Sequence, residues 1–357
     1  MPFIDKEIGS VSYILHSNSE AVIIDPLRIV DEYVNYLQQN NLTLKYILLT
    51  HLHADFVAGH RELQEIFDTE ILPFEENEYS LGKYKLKIIS TPGHTKESVS
   101  CLVDERFLFT GDFLFVGDMG RVDFVDINEG ARLAYESAKR VKKLDDSIVV
   151  LAGHVKGSFC GGGLSAEYIS SIGIEKRNNR VFSIDEKDEF IKSISKEYDK
   201  PLFAAKLLQI NKNPTLIKDL EEVDEVDYIV DIREIKDFEK AHIKGSINIP
   251  KNANIPFILG YLVDIDKRVG IVGYEDSDFE EVKKRLLKVG YDRIKILGSI
   301  ENYETKPFIR EEKKIIDLDE VGLSEIEKYK GFGFKCKNGY KAIAVESFLR
   351  REIENNS

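Results

Sequence analysis

The chain has no tryptophan, two methionines and only three cysteines in 357 residues. Cys101, Cys160 and Cys336 are few, odd in number and far apart, which argues against a disulfide framework and for a reducing compartment. No apolar run approaches the length needed to span a bilayer, and the opening Met1-Pro2-Phe3-Ile4-Asp5-Lys6-Glu7 lacks a basic stretch followed by an apolar one. A cytoplasmic protein with no membrane partner is expected. Basic clusters are also scarce: 50 Lys and Arg stand against 63 Asp and Glu, a formal net charge of −13, so the phosphate-neutralising patches that nucleic acids require are missing. What remains is ordinary for a folded protein, 43% hydrophobic and 32% charged, and the length suits two domains better than one core.

The most informative segment is Thr50-His51-Leu52-His53-Ala54-Asp55-Phe56, just after the apolar run Tyr46-Ile47-Leu48-Leu49. An extended backbone sends residues two apart to one side, so His51, His53 and Asp55 can converge on a point. A His-x-His pair ending a strand is, by itself, more often a solvated or hydrogen-bonded loop than a ligand set. Its company changes the weighing: Thr91-Pro92-Gly93-His94-Thr95, Phe109-Thr110-Gly111-Asp112 and Leu151-Ala152-Gly153-His154 each place a ligand-type residue after a short apolar strand and a small-residue turn. Glycine and proline beside each candidate suit loops that hold a side chain at a fixed angle. Six of the seven histidines precede residue 155, so the chemistry belongs to the first half.

Local patterns predict strands over residues 11–16, 21–25, 46–50, 85–90, 98–103, 107–109 and 147–151. Helices are expected over 29–39, 57–67 and 131–144. Strands and helices fall in blocks rather than strict alternation, which suits stacked sheets with helices outside.

On the quoted His, Asp and Gly segments, taken together and in that order, the chain resembles the metallo-β-lactamase superfamily, which implies an α/β fold: an αββα sandwich with a metal site at one edge. The stretch from Gly111 to Phe124, with Gly120-Arg121-x-Asp123-Phe124 following Asp112, resembles the persulfide dioxygenase branch, as do segments 153–161 and 172–179. That resemblance implies one Fe(II) held by His51, His94 and Asp112. Two imidazoles and one carboxylate leave about three positions open for a thiol persulfide and O2. The implied products are sulfite and the free thiol. His53, Asp55 and His154 then orient ligands, water or substrate, while Asp55 and His154 alternatively satisfy buried backbone groups. Arg121 and Arg177 are candidates for substrate contact, with a structural brace to Asp123 the other role open to Arg121. Phe56 stands where two-metal hydrolases of the superfamily place a histidine, and a benzyl group donates no lone pair, so a mononuclear centre is expected. The alternative is a glyoxalase II-like thioester hydrolase with zinc on His51, His53 and His94. A third reading makes the chain a binding protein with a vestigial site. Cys160, beside Gly157, Ser158 and the run 161–163, is expected to be exposed but not catalytic.

Near Asn211-Lys212-Asn213-Pro214 the composition turns to that of a linker, and residues 1–214 are read as the first domain. Asp231-Ile232-Arg233-Glu234, Phe238 and the segment from His242 to Pro250 resemble the rhodanese domain, a small parallel α/β module, over residues 215–305. An active rhodanese needs a cysteine in the loop after its central strand. Here that strand and loop read Gly270-Ile271-Val272-Gly273-Tyr274-Glu275-Asp276-Ser277-Asp278, with no cysteine, so a pseudo-rhodanese is expected. Residues 306–357 contain a strand-like segment at 331–336 and a helix-like one at 344–353, with no role assigned. The thiol that carries the persulfide and any homo-oligomer are left open.

Overall fold

A computed structural model describes residues 1–161, 163–308, 315–329 and 333–355, with residues 315 and 352–355 described by backbone alone. The chain divides into two compact units, Met1–Tyr198 with Leu207–Leu216, and Asp199–Lys206 with Ile217–Ser357.

In the first unit, strands β1 (Pro2–Asp5), β2 (Ser10–Ser17), β3 (Glu20–Ile24), β4 (Thr43–Leu48) and β5 (Glu70–Leu72) form one sheet in that order. Strands β6 (Glu78–Leu81), β7 (Tyr84–Ser90), β8 (Val99–Val103), β9 (Phe107–Gly111), β10 (Val149–Ala152) and β11 (Ile169–Ser171) form a second, ordered β11-β10-β9-β8-β7-β6. Both are mixed: β3, β4 and β5 run parallel, as do β9 and β10, and the other pairs are antiparallel.

Side-chain alternation decides the layering. Val22 and Ile24 of β3 join Leu48, Ile88, Cys101 and Phe109 in a core between the sheets. Ala21 and Ile23, one residue out of phase, pack outward with Tyr33, Leu37 and Leu63 of helices α1 (Asp31–Gln39) and α2 (His60–Phe67). On the other side Leu102, Leu108 and Val150 meet α3 (Ile127–Val141) and α5 (Lys187–Ile194), with α4 (Ile172–Asn178) between them in sequence. The unit is therefore the expected αββα sandwich.

Several boundaries shift. The strand expected over 46–50 is β4, which ends at Leu48, so Thr50 and His51 belong to the loop beyond it. Residues 57–59 do not open α2, because Ala58 bridges Leu27 and the Gly59 amide donates to the Pro26 carbonyl. Helix α3 starts four residues early, at Ile127, where the Asp126 carboxylate caps the Glu129 amide. Helix α6 (Ala204–Ile210) runs across the division between the units.

In the second unit β12 (Tyr228–Asp231), β14 (Ile247–Asn248), β15 (Val269–Val272) and β16 (Ile294–Gly298) form a parallel sheet ordered β14-β12-β15-β16, as the rhodanese resemblance implies. Helices α7 (Ile235–Lys240), α8 (Ile255–Leu262) and α9 (Asp276–Lys288) connect its strands, and β13 (His242–Ile243) pairs with β17 (Thr305–Lys306). The tail adds β18 (Ile315–Asp317), α10 (Leu318–Val321), β19 (Gly333–Lys335) and α11 (Tyr340–Asn355). It is part of this unit rather than an appendage: the Asn248 amide of β14 donates to the Ser347 hydroxyl of α11 at 3.1 Å. The first two residues of the strand-like segment 331–336 lie outside the described residues. No helix among the described residues is long and apolar enough to cross a membrane.

Candidate metal centre

The strand ends of both sheets bring His51, His94 and Asp112 together, buried, with one ligand atom from each lying within 4.8 Å of the others. His51 Nε2 is 3.7 Å and His94 Nε2 3.4 Å from Asp112 Oδ2. None of these three atoms has a hydrogen-bond partner among the described residues, although all are sealed from solvent. Buried polar atoms left bare cost on the order of 1–3 kcal/mol each, so three converging on one point form a site built for a cation.

The surroundings fix which nitrogen of each ring is free. Thr50 Oγ1 donates to Asp25 Oδ2 at 2.7 Å, so its lone pair accepts from His51 Nδ1 at 3.0 Å. His94 Nδ1 donates to the Arg121 carbonyl at 2.8 Å. Both Nε2 atoms therefore carry lone pairs, the form that binds metal. Burial also holds the His51 pKa well below the usual imidazole value and lowers that of His94. For Asp112 burial pushes upward, but His154 and His51 outweigh it and the carboxylate is held ionised. The donor set fits a divalent transition metal.

The run Gly120-Arg121-x-Asp123-Phe124 builds the wall behind His94. A Cβ on Gly120 would lie 1.8 Å from the Asp112 carbonyl, so only glycine allows that approach. The Arg121 guanidinium is buried, donating to both Asp123 oxygens and to the carbonyls of Phe159 and Tyr198. Phe124 meets the His94 ring edge-on, with centroids 5.1 Å apart. Gly111, at φ +50°, turns the chain into Asp112, and a Cβ there would fall 2.2 Å from Thr50 Oγ1.

His154 bridges two carboxylates, its Nδ1 2.6 Å from Asp112 Oδ1 and its Nε2 2.6 Å from Asp55 Oδ2. Burial alone would lower its pKa, but Asp112 and Asp55 outweigh burial and raise it well above the usual value. An imidazolium thus occupies the position beside Asp55, with both nitrogens engaged. Phe56, stacked on His53 with centroids 4.1 Å apart, supplies no lone pair there. His53 Nε2 donates to Asp25 Oδ1 at 3.0 Å, and against burial the Asp25 and Asp55 carboxylates raise its pKa. His53 belongs to neither of the two ligand clusters among the described residues.

Three expectations need correction. Cys160 is fully buried, not exposed, and forms the second cluster with Asp55 and His154. Burial, then Asp55 and Asp112, push its thiol well above the usual range, so it is an unreactive thiol. Arg177 does not reach the centre: 64% exposed, it faces Asp146 at 3.9 Å, before β10, whereas His154 follows that strand. The structure likewise withdraws the Arg121 head group from substrate contact, because its guanidinium is enclosed by Asp123 and two carbonyls.

Sequence reasoning missed two positioning residues. Asp25 holds both Thr50 and His53. Asn211, placed in a linker by composition, is buried in the first unit, where its amide binds the His53 and Phe56 carbonyls and the Ala58 amide. Asp25 directly follows β3 and precedes a proline, which is a weak sequence signal; nothing in the sequence marks Asn211.

Family models place this arrangement. That of the metallo-β-lactamase superfamily matches residues 6–86 and 81–154, and that of the rhodanese-like domain matches residues 213–306. The solved metallo-β-lactamase from Staphylococcus aureus subsp. aureus COL is 30% identical, with a TM-score of 0.74 over 84% of this chain and 97% of that one. The chain belongs to the metallo-β-lactamase superfamily. ETHE1 from Myxococcus xanthus, of the same fold, is 27% identical, with a TM-score of 0.53 over 59% of this chain and 97% of that one. Among curated proteins, the hydroxyacylglutathione hydrolase of Francisella tularensis subsp. novicida is 31% identical over 169 residues, 43% of this chain. The chain spans 65% of that relative's length. In this chain position 56 is a buried phenylalanine, and a rhodanese-like domain follows the sandwich.

Proposed function

We propose that this protein is a metal-dependent enzyme, a persulfide dioxygenase that oxidises the sulfane sulfur of a low-molecular-weight thiol persulfide. One persulfide (RSSH), one O2 and one water give the free thiol, sulfite and two protons. The observation that carries the reading is the convergence of three bare, buried donor atoms, two imidazole and one carboxylate, with Phe56 and the doubly held His154 where a second metal would otherwise sit.

A single Fe(II) on that set supplies open coordination positions and one-electron chemistry toward O2. The chain's own groups prepare it. Thr50 and the Arg121 carbonyl present each Nε2 lone pair, and Asp25 orients the loop from behind. His154 holds protons on both nitrogens, one facing Asp112 and one facing Asp55. The likeness to ETHE1 of M. xanthus supports this reading.

A second reading, a zinc-dependent thioester hydrolase of the glyoxalase II kind, draws on the hydroxyacylglutathione hydrolases and on His53 Nδ1, which is also buried without a hydrogen bond. The raised pKa of His53, set by Asp25 and Asp55 against burial, favours a proton over a metal there. Oxygen uptake by iron-loaded protein supplied with glutathione persulfide tests the first reading. Absence of uptake with any small-thiol persulfide, together with thioester hydrolysis by zinc-loaded protein, would establish the second.

The rhodanese-like domain has no thiol between Gly273 and Asp278. Asp276 and Asp278 sit in the first turn of α9, and although Asp278 is paired with Lys251, this acidic turn disfavours an external anion there. We read it as a domain that does not carry sulfur. A cytoplasmic location and small-molecule partners complete the proposal.

A further inference from the structure

A cavity of about 490 Å³ lies in the first unit beside the ligand loop, and none of His51, His94 and Asp112 lines it. Its walls are apolar: Leu49 and Leu52 on the ligand-loop side, Ile71 and Phe74 from β5 and the segment beyond. The size is that of a small-molecule site. Two cations, Arg61 and Lys212, also line it, and both are exposed.

In a chain of net charge −13, exposed cations commonly find carboxylates; among the described residues these two do not. Arg61 Nη1 donates to Gln64 Oε1 at 2.5 Å and Lys212 Nζ to Gln209 Oε1 at 2.7 Å, both neutral acceptors. Among the described residues neither lies within ion-pair distance of a carboxylate. Arg61 is also the second residue of α2, whose N-cap, Gly59, has no side-chain cap among the described residues. The one carboxylate in the lining, Glu97, accepts from the Leu52 amide at 3.0 Å. His60, also in the lining, is neutral near pH 7, since burial lowers its pKa to about 4.

An apolar chamber with an unpaired cationic rim complements one class of ligand. We propose that this cavity binds a medium-chain aliphatic carboxylate, its chain against Leu49, Leu52, Ile71 and Phe74 and its head group drawn to Arg61 and Lys212. The Glu97–Leu52 bond ties the loop of His94 to that of His51, so an occupant leans on the metal site from behind without entering it.

Isothermal titration of the full-length protein with octanoate, below its micelle concentration, tests this without metal or turnover, so its outcome is separate from that of the dioxygenase reading. One site per chain is expected. Arg61→Glu with Lys212→Glu should weaken binding at least tenfold, and 1-octanol should bind the native protein at least tenfold more weakly than octanoate. If the charge reversals impair folding, Arg61→Gln with Lys212→Gln should give a smaller loss in the same direction. Absence of saturable heat, many sites per chain, or equal affinity for octanol and octanoate would each overturn the proposal.

Discussion

Replacing Asn211 by alanine probes how the ligand loop is held from behind. The side chain is 1% exposed and makes three hydrogen bonds: Nδ2 to the His53 and Phe56 carbonyls at 2.8 Å each, and Oδ1 from the Ala58 amide at 2.7 Å. Truncation leaves two carbonyls and one amide buried without partners, each costing about 1–3 kcal/mol. Partial entry of water brings the total to the low end, about 3 kcal/mol, or roughly a hundredfold in the local opening equilibrium. Amide hydrogen exchange reads this directly. In Asn211→Ala the Ala58 amide should exchange about a hundredfold faster, whereas amides of the second unit's central strand β15 should not change. Metal affinity should fall about 10- to 100-fold, the scale of lost outer-shell support. Unaltered exchange at Ala58 with unaltered metal affinity would refute the claim that this residue positions the loop.

His94→Ala and Asp112→Ala should each abolish stoichiometric metal, whereas His53→Ala should retain it with affinity reduced no more than about 100-fold, as metal analysis after dialysis will show. Phe56→His should raise the metal count above one per chain by placing a lone pair beside Asp55, and Phe56→Leu should leave it at one. Stability should decline as pH falls: the His60 pKa is about 4 in the folded chain against 6.5 ordinarily, so the unfolded chain takes up a proton that the folded one refuses. The stabilisation is whole above pH 6.5 and is lost progressively toward pH 4, on the order of 3 kcal/mol, and His60→Gln should flatten that part of a chemical-denaturation profile.

The sandwich was legible because its strands alternate cleanly, as Val22 and Ile24 against Ala21 and Ile23 show, and because each ligand follows a strand end in order. The short edge strands β1, β5, β6 and β11 were not, since four or fewer residues carry too little periodicity to stand out from a loop. Within the site, ligand identity could be read from residue type, but not what fixes each ring's other nitrogen: Asp25, which orients the Thr50 hydroxyl facing His51 Nδ1, and the Arg121 carbonyl facing His94 Nδ1 lie 26 and 27 residues away from His51 and His94. Asn211 shows the limit most clearly, because a polar residue in a Lys-Asn-Pro context reads as solvated chain until tertiary packing buries it. Cys160 failed for the same reason, its glycine neighbours suggesting exposure where the fold encloses it.

The most direct test of the central claim is a diffraction experiment at the iron absorption edge on crystals grown anaerobically with Fe(II). One anomalous peak per chain is predicted, within bonding distance of His51 Nε2, His94 Nε2 and an Asp112 carboxylate oxygen, with His53 and His154 unliganded. Two peaks, or a single ion bound through His53 in place of Asp112, would contradict it.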